Sequence, residues 1–134
     1  MRYRHLSYRY QRIVRSGPSW VVWSDDRLRL LAQTRWQPDA DMCETAGAIE
    51  VMVDLAGVEE DDFEVQLFED VLVVEGRRHL PACAEGGVYH GAAIRQGPFL
   101  IALPLPAAVD AERVQARYER GLLRITLPKR MESR

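Results

Sequence analysis

The chain has 134 residues, of which 47% are hydrophobic and 28% carry a charge, values that are ordinary for a soluble globular protein. No apolar run approaches the roughly 20 residues that a membrane-spanning helix needs, so we expect no membrane partner. The first residues are rich in arginine and lack the apolar segment of a secretory signal, which predicts a cytoplasmic protein.

Charge is divided unevenly along the chain. Residues 1–35 hold eight arginines and two aspartates, a net +6, whereas residues 36–134 hold ten basic and eighteen acidic side chains, a net −8. We therefore separate a basic arm (residues 1–35) from the acidic remainder of the chain, in which a domain (residues 36–130) is followed by a short tail (residues 131–134). This asymmetry allows the arm of one subunit to lie on the body of another.

The first part of the arm interleaves arginine with tyrosine. Such a pattern can stack on bases and pair with phosphates. Equally, Tyr3, Leu6, Tyr10 and Ile13 recur at the spacing of one helix face, and a third interpretation is a partly disordered terminus. Because no known binding module accompanies these residues, we expect a flexible or partly helical arm and no nucleic-acid partner.

The second part of the arm is apolar and follows the helix-breaking pair Gly17-Pro18. Its large side chains are Trp20, Val21, Val22, Trp23, Leu28, Leu30 and Leu31. So much apolar surface must be buried on the domain, on another subunit or on a bound protein.

Within the domain, apolar residues repeat with the period of two that is typical of half-buried strands. The first such strand carries Ile49, Val51, Val53 and Leu55, and Gly57 marks the turn after it. A second alternating strand carries Phe63, Val65 and Leu67 and ends at the short reversal Glu69-Asp70. Residues 71–74 are continuously apolar, which predicts a strand covered on both faces.

A hairpin is predicted near the end of the chain. Val114, Ala116 and Tyr118 alternate with polar residues, Gly121 supplies the positive φ of a tight turn, and Leu123, Ile125 and Leu127 alternate in the returning strand. Pro128 ends this strand because it has no N–H to donate. In all, seven or eight strands and no convincing helix predict an all-β sandwich.

The sequence offers no catalytic, cofactor-binding or metal-binding site. It lacks the glycine-rich phosphate-binding motifs, and its only lysine is Lys129, which favours an activity that does not consume ATP. His79, Cys83 and His90 fit no common zinc spacing. Cys43 and Cys83 are separated by 39 intervening residues and are expected to be free thiols.

The hairpin also carries a family resemblance. Residues 116–129 read A-x-x-x-x-G-L-L-x-I-x-L-P-K, which closely resembles the hallmark of the α-crystallin domain of small heat-shock proteins of the bacterial type. Residues 36–45 resemble the first segment of that domain, so the resemblance covers residues 36–130. It implies an immunoglobulin-like β-sandwich.

The resemblance implies an ATP-independent chaperone, or holdase, that binds apolar segments of unfolding proteins. In the family such segments bind a groove between two strands, where this chain has Val65 and Leu67 on one strand and Val114 and Ala116 on the other. The same residues also fit the core, because alternation does not say which face is inward. The family's arms also catch clients, so Trp20 and Trp23 become further candidates. The alternative is an adaptor or co-chaperone that resembles CS domains and has no holdase activity.

The resemblance also implies a homodimer that exchanges strands. It places Met42 in the receiving segment of one subunit and Val88, Tyr89 and His90 in a short strand contributed by the other. The I-x-I anchor that members carry after the Pro-Lys pair is not found here. We therefore expect either a small oligomer or an arm that takes over the role of this anchor.

Overall fold

The computed structural model describes residues 2–5 and 35–131. These residues contain eight β-strands: β1 (Arg2–His5), β2 (Ala40–Glu44), β3 (Ala48–Asp54), β4 (Phe63–Phe68), β5 (Val71–Arg78), β6 (Gly97–Pro104), β7 (Gln115–Glu119) and β8 (Leu122–Pro128). Two single turns of 3₁₀-helix, Glu60–Asp62 and Ala111–Arg113, lie in the connections before β4 and β7.

The strands form two antiparallel sheets. The five-stranded sheet has the order β1-β7-β8-β3-β2, and the three-stranded sheet has the order β4-β5-β6. The core between them is built from the alternating apolar positions of both sheets, as in other sandwiches. The predicted all-β sandwich is therefore confirmed.

Strand β5 is buried on both faces, as its continuous apolar run predicted. Leu72 and Val74 belong to the main core. Val73 points to the opposite face of the three-stranded sheet, where it packs in a second cluster with Phe68 and Leu100.

The predicted hairpin is formed by β7 and β8. Its two turn residues, Arg120 and Gly121, both have positive φ, 56° and 80°, which is the conformation of the type I′ turns that suit twisted hairpins. A Cβ at Gly121 would lie 2.8 Å from the Cα of Ala56. Glycine is thus required at this position both by the backbone conformation and by the close approach of a neighbouring turn.

At two places the structure differs from the local conformation predicted from the sequence. Residues 2–5 form a strand paired with β7, so the helical interpretation of the arm is wrong for these four residues, because the edge of β7 supplies backbone partners. Residues 88–90 are not a strand here, since a strand forms only where another strand pairs with it. Trp20 and Trp23 lie outside the described residues.

Candidate functional site

The first candidate surface is the rim of the sandwich where β4 faces β7. The rings of Phe63 on β4 and Tyr118 on β7 meet edge to face, with 5.0 Å between their centroids. The proposed groove residues lie on these two strands and just before β7. All of them are core residues with 1–2% exposure: Val65, Leu67, Val114 and Ala116. Alternation in the sequence left open which side of each strand faces the core. The structure shows that all four of these side chains point inward.

Strand β1 lies on the outer edge of β7 at this rim. The two strands are antiparallel, with Tyr3 opposite Arg117 and Arg4 opposite Ala116. An edge strand presents unpaired N–H and C=O groups that any extended segment can use. This pairing was not predicted, because residues 2–5 show no apolar alternation and their partner strand is more than a hundred residues away.

Tyr118 fastens β7 to the turn that follows β3. Its hydroxyl donates toward the carbonyl oxygens of Leu55 and Val58, at 2.8 and 2.6 Å. Burial raises the pKa of this hydroxyl, and the carboxylates of Glu59, Asp54 and Glu60 raise that pKa further. The sequence indicates that the Tyr118 hydroxyl has a buried partner, because this tyrosine occupies an inward position in the apolar alternation of β7.

We expect the substitution Tyr118→Phe to lower the free energy of unfolding by about 1–2 kcal/mol, because the two carbonyls lose the one hydroxyl proton that they share. The folded protein keeps the phenolic proton at a pH where the unfolded chain has lost it. The stability of the wild type should therefore fall as the pH rises above about 10, and the Phe variant should lack this part of the decline. Urea unfolding at pH 8 and at higher pH measures both effects. Parallel pH profiles for the two proteins would contradict the assignment.

The second candidate surface combines the edge of β2 with the loop between β5 and β6. Within the part of the chain that the structure describes, β2 pairs only with β3. Met42 on β2 packs against the core. In the loop, Val88 and Tyr89 are 72% and 60% exposed, and His90 is also exposed. The predicted exchange residues thus lie on separate parts of one chain, and their pairing between two chains stays a prediction.

The base of this loop is clamped by Arg78, the last residue of β5. Its guanidinium stacks on the ring of Trp36, with Cζ 4.3 Å from the centroid. It also donates hydrogen bonds to the carbonyl oxygens of Arg95 and Ala56. Arg95 in turn donates to the carbonyl of Gln37, at 3.4 Å. One side chain thus connects the end of the loop to the segment that leads into β2.

We expect the substitution Arg78→Ala to lower the free energy of unfolding by about 1–2 kcal/mol, because a cation–π contact and several hydrogen bonds are lost. Arg78→Lys should be intermediate, since lysine keeps the charge but not the planar fork. Urea unfolding measures stability, and amide hydrogen exchange at residues 94–97 measures opening of the loop base. Unchanged exchange in the Ala variant would contradict the clamp.

Metal-binding and membrane-spanning features are not found in the described residues. No group of three or more His, Cys, Asp or Glu side chains in this part of the chain is placed to hold a metal ion. Cys43 and Cys83 are both free and exposed, which agrees with the prediction of free thiols. None of the helical segments that the structure describes is long and apolar enough to span a membrane.

Known proteins resemble this chain in sequence and structure. A sequence model described as "Hsp20/alpha crystallin family" matches residues 41–134. The "Probable 15 kDa heat shock protein" of Leptospira interrogans is 33% identical over 105 residues, which cover 78% of this chain and 75% of that protein. "Small heat shock protein C2" of Rickettsia felis is 27% identical over 72% of this chain, which spans only 63% of that relative's length.

A solved structure has the same architecture. The small heat-shock protein from Xylella fastidiosa superposes with a TM-score of 0.64 at 28% identity, over 75% of this chain and 92% of that one. The match of the family model covers well over half of the chain, and the two antiparallel sheets agree with it. The chain therefore belongs to the Hsp20/alpha crystallin family of small heat-shock proteins.

Proposed function

We propose that this chain is an ATP-independent holdase that binds exposed apolar segments of unfolding proteins and keeps them from aggregating. Membership in a family of chaperones rather than enzymes supports this activity. The observation that carries the proposal is the outer edge of β7, which accepts an extended segment at the apolar rim of the sandwich. Pairing through the backbone requires no particular side chains, so one edge suits many clients.

The proposed client surface is the rim of β4 and β7. Val65 and Leu67 on one side and Val114 and Ala116 on the other are almost completely buried in the structure, where β1 occupies the edge. We propose that a client segment takes the place of β1 and contacts these side chains as the rim opens. Trp20 and Trp23 are proposed as further client contacts.

We also propose a homodimer in which the loop of one chain pairs with β2 of the other. Among the described residues β2 pairs with β3 alone, and this free edge and the exposure of Val88 and Tyr89 support the arrangement, with Met42 and His90 proposed at the same interface. The small heat-shock protein from Xylella fastidiosa has a distinct high order structure, and a higher homo-oligomer is proposed for this chain too. The proposed location is the cytoplasm.

Removing β1 from the edge should increase the holdase capacity. In the full chain, Tyr3→Pro with Arg4→Pro removes two backbone N–H donors. The N–H groups of successive strand residues point to opposite edges, so one of the two lost N–H groups is the one that faces β7. The matched control is Tyr8→Pro with Arg9→Pro, which removes the same residue types beyond the end of β1. We expect the first variant to suppress client aggregation at a lower ratio of chaperone to client than the control. Equal ratios would contradict displacement of β1.

The experiment that tests the proposed function is light scattering from a heat-labile client without ATP. Suppression by this chain supports a holdase. If the chain instead forms a stable complex with one folded protein and leaves aggregation unchanged, it is an adaptor that resembles CS domains.

A further inference from the structure

We propose that the outer face of the three-stranded sheet is a docking surface for the apolar segment of the same chain's arm, residues 20–31. This face points away from the five-stranded sheet and is separate from the rim of β4 and β7. The inference goes beyond holdase activity, since Trp20 and Trp23 would contact clients only when the arm leaves this face, and its test does not depend on any client.

The first observation is burial on the face that points away from the main core. Residues directly opposite each other in an antiparallel sheet share a face. Here Phe68 is opposite Val71, and Val73 is opposite Ala102. Phe68, Val73 and Leu100 form one cluster and are 5%, 0% and 1% exposed. The five-stranded sheet covers the opposite face, so it cannot bury these side chains.

The second observation is where the chain meets this sheet. Trp36 forms a parallel bridge to Phe99 on β6, the edge strand of the sheet. The amide of Leu100 donates to the carbonyl of Trp36 at 3.1 Å. One residue earlier, the guanidinium of Arg35 pairs with Glu75 at 2.9 Å, and Glu75 is opposite Leu100 on the outer face. The arm thus joins the domain at the apolar face itself.

The third observation is reach. Residue 31 lies four residues before Arg35, a distance that extended chain covers in at most about 14 Å. The three strands, spaced at about 4.8 Å, are about 10 Å wide between the outer two axes. The leucines at positions 28, 30 and 31 can therefore reach all three strands, and the tryptophans can follow.

The fourth observation is a buried side-chain oxygen to which none of the described residues donates a hydrogen bond. The side-chain oxygen of Gln66 is buried on this face and accepts no hydrogen bond from the described residues. A buried polar atom of this kind is costly unless it is paired. The indole N–H of tryptophan is a donor only and is usually paired when buried. The indole N–H of Trp20 or Trp23 in the docked segment would therefore supply the hydrogen-bond donor that the Gln66 oxygen lacks among the described residues.

Photo-cross-linking in the full chain tests the proposal. Benzoylphenylalanine replaces Phe68 on the proposed surface and, as a matched control, Leu122 on the outer face of the other sheet, where the side chain is 42% exposed. Trypsin cleaves after Arg15 and Arg27 and so isolates residues 16–27 as one peptide. We expect position 68 to link to this peptide or to the leucines after it, and position 122 not to do so. Equal linking at both positions, or none at position 68, would overturn the proposal.

An equal mixture of heavy-isotope and ordinary chains identifies the donor of the arm. Links within one chain carry a single isotope label, which is the expected result, whereas mixed labels would overturn the assignment to the same chain.

A second measurement needs no unnatural residue. The truncation Leu100→Ala should speed tryptic cleavage at Arg27 and Arg29 roughly tenfold or more, because apolar contact with the segment is lost. Leu122→Ala should leave this rate unchanged, and an unchanged rate in the Leu100 variant would contradict docking.

Discussion

Replacing Gly76 with alanine is expected to destabilise the domain strongly. Gly76 lies in the middle strand of the three-stranded sheet, opposite Phe63 on one side and Phe99 on the other. A Cβ at this position would lie 2.2 Å from the carbonyl oxygen of Asp62 and 2.8 Å from the Cα of Phe63. Both of these atoms are backbone, so β4 would have to move away from β5. We expect a loss of more than about 3 kcal/mol, a large part of the stability of a small domain.

The matched control is Gly47→Ala, in the turn between β2 and β3. Apart from its two chain neighbours, no residue has an atom within 4 Å of a Cβ built at Gly47, and its φ is not positive. This variant should stay within about 0.5 kcal/mol of the wild type or gain slightly, because alanine restricts the unfolded chain. Urea unfolding followed by circular dichroism compares the two proteins. A Gly76 variant as stable as the Gly47 variant would show that the sheet adjusts to the added methyl group.

Loss of the proposed dimer is the second large effect that we expect. In the full chain, Val88→Pro with His90→Pro removes two backbone donors from the loop segment that is proposed to pair with β2 of a second chain. Both residues are exposed in the loop, so the fold of the single domain should persist. The mass of the smallest stable species should fall from twice the chain mass of 15.4 kDa to that mass. Light scattering coupled to size-exclusion chromatography measures it.

The control for this experiment places prolines elsewhere in the same loop. Ala82→Pro with Ala84→Pro changes the same number of exposed residues before the proposed pairing segment. We expect this variant to keep the mass of the wild type. Dissociation of both variants would mean that loop stiffness rather than pairing sets the assembly, and a persistent dimer in the first variant would place the interface outside residues 88–90.

The strands could be predicted from the sequence because burial follows a period of two. This period identifies the inward set of β3, such as Ile49 and Val51, whereas Gly121 is identified by the positive φ that a tight turn needs. The direction that Val65 and Ala116 face required the structure, because alternation is the same whichever side is buried. The pairing of β1 could not be predicted, since backbone edges accept segments of any sequence. Likewise the Arg78 clamp unites residues that are distant in the chain and leaves no periodic signal.

The most direct test of the proposed holdase is client aggregation followed by light scattering, without ATP, at increasing ratios of this protein to a heat-labile client. The Gly76→Ala variant serves as the control for nonspecific protection by added protein. We predict suppression by the wild type at or below an equimolar ratio, none by the variant at a temperature that unfolds it, and recovery of the client in soluble complexes with the wild type. Undiminished scattering at equimolar and higher ratios of the wild type would contradict the proposed function.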